Sequence, residues 1–231
     1  MAGVGVAVWA VGAAARVVAG PGVEAAGAGG SAQVVVAILG AVVPRVAGKR
    51  EPDIMLKRLQ TCFKHRWMDE SDTRRTFGED LLERLTRRVA ASERRHSGEI
   101  RICVEAGLPM SYLWRHLWHR TPVQVLCRER AMSMFGRLQV WDTTNNNGVL
   151  IYLLLAEREI ELVADRGLNA LVPHTQWQAM VHRMSAAFAA GRYEDGLTQA
   201  LGEVSAVLVS NFPESADGAG PNELPDTPVL N

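Results

Sequence analysis

The chain has 231 residues, enough for one domain with a sizeable core plus extensions. Hydrophobic residues make up 48% and charged residues 22%, the balance of a globular protein rather than of a disordered or fibrous one. Twenty-five cationic side chains offset 25 anionic ones, so no overall field draws nucleic acid, and three widely spaced cysteines (Cys62, Cys103, Cys127) exclude a disulfide scaffold and a zinc ribbon.

Residues 1–54 differ from the rest and form an Ala/Gly/Val-rich leader with two apolar patches, Met1–Ala15 and Val34–Val43. The first lacks the cationic start of a secretory signal, and the second is shorter than the ~20 residues that span a bilayer. Gly-rich 19–31 prevents the two from joining into one helix. Two readings stay open: a disordered or weakly membrane-associating leader, or a stretch that is not translated, with Met55 the true start. Without a signal or a membrane-spanning segment, the expected location is the cytoplasm or the periphery of the inner membrane.

Residues 55–70 are a basic amphipathic segment. Leu56, Leu59, Phe63 and Trp67 recur at helical spacing, with Lys57, Arg58, Lys64 and Arg66 mostly on the other side. Such a helix either touches an anionic membrane or a partner through Lys57, Arg58, Lys64, Arg66 and Trp67, or packs its apolar side across the domain. The second fate is the commoner one.

The folded domain is expected over 71–213. Thr76-Phe77-Gly78-Glu79 has capping-box spacing and starts a helix lined by Phe77, Leu81, Leu85 and Val89, ending near Gly98. Ile100, Ile102, Val104 and Ala106 alternate with Arg101, Cys103 and Glu105 as a strand. Met110–Arg120 has the pattern of a helical turn or two; His116 and His119 are three apart, but no third metal ligand accompanies them. Thr121-Pro122 reads as N-cap and first residue of a helix lined by Leu126, Cys127, Ala131, Met134, Phe135 and Leu138.

Polar Asn145–Asn147 then deliver Gly148 into Val149–Leu155, a continuous apolar run that suits a strand buried on both faces. Four residues later Ile160–Ala164 alternate as a second strand, and so short a connection implies an antiparallel hairpin. A short helical turn over Leu168–Val172 follows, closed by Pro173. Trp177, Met180, Val181, Met184 and Phe188 line a helix that stops at Gly191, and Leu197, Ala200, Leu201, Val204 and Leu208 line the last. Residues 214–231 are rich in Gly, Pro, Ser and Asp and read as a disordered tail. The predicted fold is α/β: a βαβ unit plus an antiparallel hairpin, giving a mixed sheet flanked by helices.

Ser97-Gly98-Glu99-Ile100-Arg101, the Trp141-Asp142-Thr143 loop, Asn147–Tyr152, Ala164-Asp165-Arg166-Gly167 and Gly191–Leu197 stand in the order of the TPM domain, which the chain resembles from about Leu82 to Phe212. It is most similar to short proteobacterial members, which also end in a segment like Asn222–Asp226 and begin near where Met55 stands. The resemblance implies an α/β/α sandwich. Relatives are described as acid phosphatases, as calcium binders or as auxiliary subunits of membrane receptors, and the bacterial genes often neighbour one for a LemA-type membrane protein.

No P-loop, nucleophile elbow or zinc-protease helix is present. Phosphate hydrolysis would therefore need a metal, with Asp142, Asn145, Asn146 and Asp165 as oxygen ligands for calcium or magnesium and Arg166 holding phosphate. An antiparallel hairpin brings Asn145–Asn147 and Asp165 to the same end. Local roles compete: Asn145–Gly148 serves as a turn, and Asp165 as the cap of the next helix. The expected function is an interaction domain working with a membrane-protein partner, with a divalent cation as a candidate ligand; the alternative is a metal-dependent acid phosphatase.

Overall fold

The computed structural model describes residues 7–9, 51–214 and 222–231. Apart from Ala7–Trp9 and 51–54, the expected leader lies outside the described residues. In chain order the elements are β1 (Ala7–Trp9), α1 (Glu51–Trp67), α2 (Glu70–Thr76), α3 (Glu79–Glu93), β2 (Ile100–Glu105), α4 (Met110–Trp118) and α5 (Val123–Arg137). They continue with β3 (Val149–Leu154), β4 (Glu159–Ala164), α6 (Arg166–Leu171), α7 (His174–Ala189), α8 (Tyr193–Asn211) and β5 (Val229–Leu230).

The sheet runs β1-β4-β3-β2-β5 and is mixed. β2 and β3 are parallel, with Ile100 opposite Val149, while β3 and β4 are antiparallel, with Val149 opposite Ala164. β3, at the centre, is buried along its whole length, which is why its sequence is continuously apolar rather than alternating. The crossover from β2 to β3 uses two helices, α4 and α5, where the sequence predicts one helix and a turn or two before it.

Alternation along the strands builds two cores. Ile102, Val104, Ile151, Leu153, Ile160 and Leu162 face α3, α7 and α8, meeting Leu85, Val89, Trp177, Phe188 and Leu208. Cys103, Leu150, Tyr152, Leu154 and Val163 face α4 and α5, meeting Leu113, Leu126, Cys127 and Phe135. The result is three layers, helix–sheet–helix. Each fully buried Leu, Phe or Trp contributes roughly 1.5–3 kcal/mol, so this double core dominates stability. Cys103 and Cys127 act as small buried hydrophobes within it.

Three local expectations are corrected. Thr76 is the last residue of α2 and does not cap α3, whose N-cap is Gly78 with no side-chain hydrogen bond. The capping box belongs to α2: Asp69 accepts from Ser71 and Asp72 backbone N–H groups, and Asp72 accepts from the Asp69 N–H at 3.2 Å. The N-cap of α5 is Pro122, not Thr121. In the C-terminal segment read as disordered, 222–231 are ordered: β5 pairs with β2, and Asn231 N–H donates to Val104 O at 2.9 Å. Its partners are backbone groups and the side chains of Thr73, Glu99 and Arg101, distant in the chain, which composition alone does not reveal. At the end of α7, Gly191 has φ +74°, and the Arg192 and Gly191 N–H groups bond back to Ala187 and Phe188 carbonyls, a Schellman stop where the sequence placed it.

Candidate functional site

The hairpin's open end is assembled by close backbone approach. A Cβ on Gly148 would collide with the Val140 carbonyl oxygen, and one on Gly167 would lie 2.5 Å from the Asn146 carbonyl oxygen, so both positions require glycine. Gly167 N–H donates to Asn146 O at 2.9 Å, Asp165 N–H donates to Gly148 O at 2.9 Å, and Arg166 Nε donates to Asn146 Oδ1 at 2.8 Å. Asn146 adopts the left-handed conformation that asparagine tolerates, φ +52°.

Of the expected metal ligands, the fold therefore unites Asn146 with the Asp165–Gly167 segment. Asp165 is 2% exposed and caps α6 through Oδ1, which accepts the Arg166 N–H at 2.7 Å. Its other oxygen, Oδ2, is buried without a hydrogen-bond partner among the described residues. Burial pushes the Asp165 carboxyl above its ordinary range, against the lowering effect of the Arg166 N–H bond. Asn146 accepts from Arg166 through its side-chain oxygen, so the guanidinium expected to hold phosphate already occupies that oxygen. Asp142 is exposed and its N–H bonds to Gln139 O in a turn. Asn145 lines a neighbouring cleft. Among the described residues no three His, Cys, Asp or Glu side chains converge as a metal cluster. His116 is instead fixed by Thr121 O at 2.7 Å.

That cleft, of about 400 Å³, lies beside the start of β2 and is lined by Glu93, His96, Glu99, Asn145, Glu223 and Asp226. Glu93 Oε1 accepts the Ile100 N–H at 2.9 Å, and Glu99 accepts from Glu223 and Leu224 N–H. Burial, helped by Glu99 and Asp226, pushes the Glu93 carboxyl up to about 8. The sequence held no local signal for this cluster, because its members come from α3, the β2 entry and the C-terminal segment.

The basic segment 55–70 gives the clearest departure from expectation. α1 packs on the domain through Arg58, Thr61, Cys62 and His65, and Cys62 Sγ lies 3.9 Å from Leu113 O on α4. His65 is buried, accepting the Leu108 N–H at 3.0 Å and meeting Glu157 at 3.1 Å. The apolar stripe faces away: Leu56 is 57% exposed, Phe63 63% and Trp67 80%. The helix is inside out. Neighbouring α4 buries Leu113 and His116 and exposes Met110, Trp114 (57%) and Trp118 (64%), the two indoles 5.2 Å apart. The repeat of Met110, Trp114 and Trp118 at four-residue spacing was the available signal for this second stripe. Of the expected docking residues, Lys57, Lys64, Arg66 and Trp67 are exposed and Arg58 is half-buried; Lys64 lies 3.5 Å from Glu157. No helix among the described residues is long and apolar enough to cross a membrane.

Comparison with known proteins bears on residues 71–207. Among curated proteins, none matches the chain. The solved NMR structure of BA42 protein from the psychrophilic bacterium Bizionia argentinensis is similar in fold, at 24% identity and TM-score 0.53, over 64% of this chain and 91% of that one. The TPM domain matches residues 71–207, more than half of the sequence and the region that holds the sheet from β2 to β4 and its helical layers. The chain therefore belongs to the TPM domain family.

Proposed function

We propose that this TPM domain is a non-enzymatic interaction domain that works with a membrane-protein partner, of the LemA type that the family's bacterial gene context suggests. The observation that carries the reading is the inverted α1, which turns Leu56, Leu59, Phe63 and Trp67 outward while polar Thr61 and His65 face the body. A helix that contacts its own domain by its polar side keeps its apolar side for something else. Lys57, Arg58, Lys64 and Arg66 add positive charge to the same helix, which suits a site at an anionic membrane. Co-expressed with a LemA-type membrane protein, the wild-type chain should fractionate with membranes, and the Phe63→Glu/Trp67→Glu variant should not. Equal partition of the two would sink the reading.

A divalent cation at the hairpin end is the second reading, favoured by the partnerless, buried Asp165 Oδ2. Asp165 and Asn146 would hold calcium or magnesium there once Arg166 turned outward, and metal-dependent phosphate hydrolysis would centre on the same group with Asp142. Titration of the full chain with calcium and magnesium, followed by backbone NMR shifts, tests it. Saturable shifts confined to 142–148 and 165–167, lost in Asp165→Asn, support the site; unchanged spectra at millimolar metal remove it.

A further inference from the structure

We infer that the exposed faces of α1 and α4 form a docking surface for the headgroups of an anionic lipid bilayer, an assignment that rests on the docking reading above and names the first thing the surface touches. At about 3.6 residues per turn, Leu56, Leu59, Phe63 and Trp67 fall on one stripe, with Lys57 and Lys64 along one border and Arg66 along the other. An apolar stripe bordered by cations on both sides matches the layering of a bilayer surface, where indoles and apolar side chains sit at the acyl boundary and ammonium and guanidinium groups reach phosphates.

Three further observations favour lipid over another occupant. The carboxylates of α1, Glu51 and Asp53, are confined to its first turn; from Met55 to Trp67, and again along α4, none occurs, so the stretch that carries the stripe does not repel a phosphate layer. Lys57, Arg58 and Arg66 take part in no ion pair among the described residues, unlike Arg115, whose guanidinium is held by Glu129. A second copy would bring the same cations against themselves across a two-fold contact, which like-charge repulsion disfavours. Among the described residues, the exposed large aromatic side chains other than Trp141 all lie here: Phe63, Trp67, Trp114 and Trp118, on two helices in contact with each other. Tryptophan is the side chain that interfaces favour most strongly.

The full chain is to be mixed with vesicles of phosphatidylcholine containing about a third phosphatidylglycerol, and with vesicles of phosphatidylcholine alone. The expected result is co-sedimentation with the anionic vesicles at least about tenfold stronger than with the zwitterionic ones, weakened by high salt, with a blue shift of tryptophan emission. Lys57→Glu/Arg66→Glu should abolish the anionic preference, and Phe63→Glu/Trp67→Glu should abolish insertion. Both pairs lie outward, and unchanged far-ultraviolet circular dichroism would verify that the fold survives. No binding to anionic vesicles, binding unaffected by either pair, or a dimer dissociated by Phe63→Glu/Trp67→Glu without vesicle binding would each overturn the inference. If vesicles fail while membranes containing a LemA-type protein still retain the chain, the lipid assignment falls and the docking reading stands; if both fail, both fall.

Discussion

Glu99, one residue before β2, accepts the backbone N–H of Leu224 at 3.3 Å although 125 positions separate them in the chain. The neighbouring Glu223 N–H donates to the other oxygen of the same carboxylate at 3.1 Å, and Leu224 is buried in the core that α4 and α5 cover. One buried side chain thus anchors the C-terminal segment by its backbone. Replacing Glu99 with Ala leaves two N–H groups without their acceptor, a loss of about 2 kcal/mol at about 1 kcal/mol for each bond. Hydrogen exchange at Glu223 and Leu224 should accelerate accordingly, and unchanged protection there would refute the anchoring role.

Stability should fall as pH rises from about 5 to 9. Glu93 is pushed up to about 8 and Glu161 to about 9, both mainly by burial, against an ordinary value of 4.5. Glu161 is 0% exposed, and neither of its oxygens has a hydrogen-bond partner among the described residues. A carboxyl raised in the folded state holds its proton where the unfolded chain has lost it. Its contribution is therefore complete below the unfolded value and is lost progressively as pH climbs to the folded one. Thermal unfolding at stepped pH should give a falling Tm across this window, and Glu161→Gln should flatten the fall. A Tm that rises between pH 5 and 9 would contradict the assignment.

Glu105 joins β2 to β3 and α5 through one carboxylate: it accepts the Tyr152 hydroxyl and Arg130 Nε, each at 2.7 Å. Its pair with Arg130 is largely buried, side-chain exposures being 3% and 11%. Arg130→Met should cost about 3–5 kcal/mol, because it strands a buried charge, whereas Glu105→Leu combined with Arg130→Met should cost less than that single change. Urea midpoints of the two variants decide the matter. Equal losses would mean that packing around Arg130, rather than the ion pair, is what matters.

Two glycines should respond in opposite directions. Gly148→Ala drives a methyl group into the Val140 carbonyl and should destabilise by about 1–3 kcal/mol. Gly202, inside α8, has open space where a Cβ would stand, and Gly202→Ala should stabilise by about 0.4–1 kcal/mol. Chemical denaturation of both variants provides the check, with any stabilisation by Ala at Gly148 ruling out the close approach.

The hairpin was legible in the sequence because Ile160–Ala164 alternate and only a short turn precedes them, and the meeting of Asn146 with Arg166 follows from that register. Gly191 stopped α7 as read because its φ is one that only glycine takes freely. The orientation of α1 was not legible: spacing reveals that Leu56, Leu59, Phe63 and Trp67 share a side, but not whether that side meets the domain. Likewise, Thr76 and Glu79 have the spacing of a cap, yet Thr76 belongs to the preceding helix, so local pattern lost to tertiary context. The Glu93–Glu99–Asp226 cluster depends on contacts between distant segments, and its residues look like ordinary surface acids in the chain.

The two-residue strand β5 covers only part of β2, but Asn231 extends the protection by exchanging backbone bonds with Val104 and Ala106. Without residues 222–231, the outer N–H and C=O groups of Ile102–Glu105 would form a naked, apolar rim. A chain trimmed at Pro213, just beyond the family match, would then tend to pair rim to rim and precipitate, even with its sheet and helical layers intact. On that expectation, residues 222–231 shield a sheet edge that would otherwise template self-association.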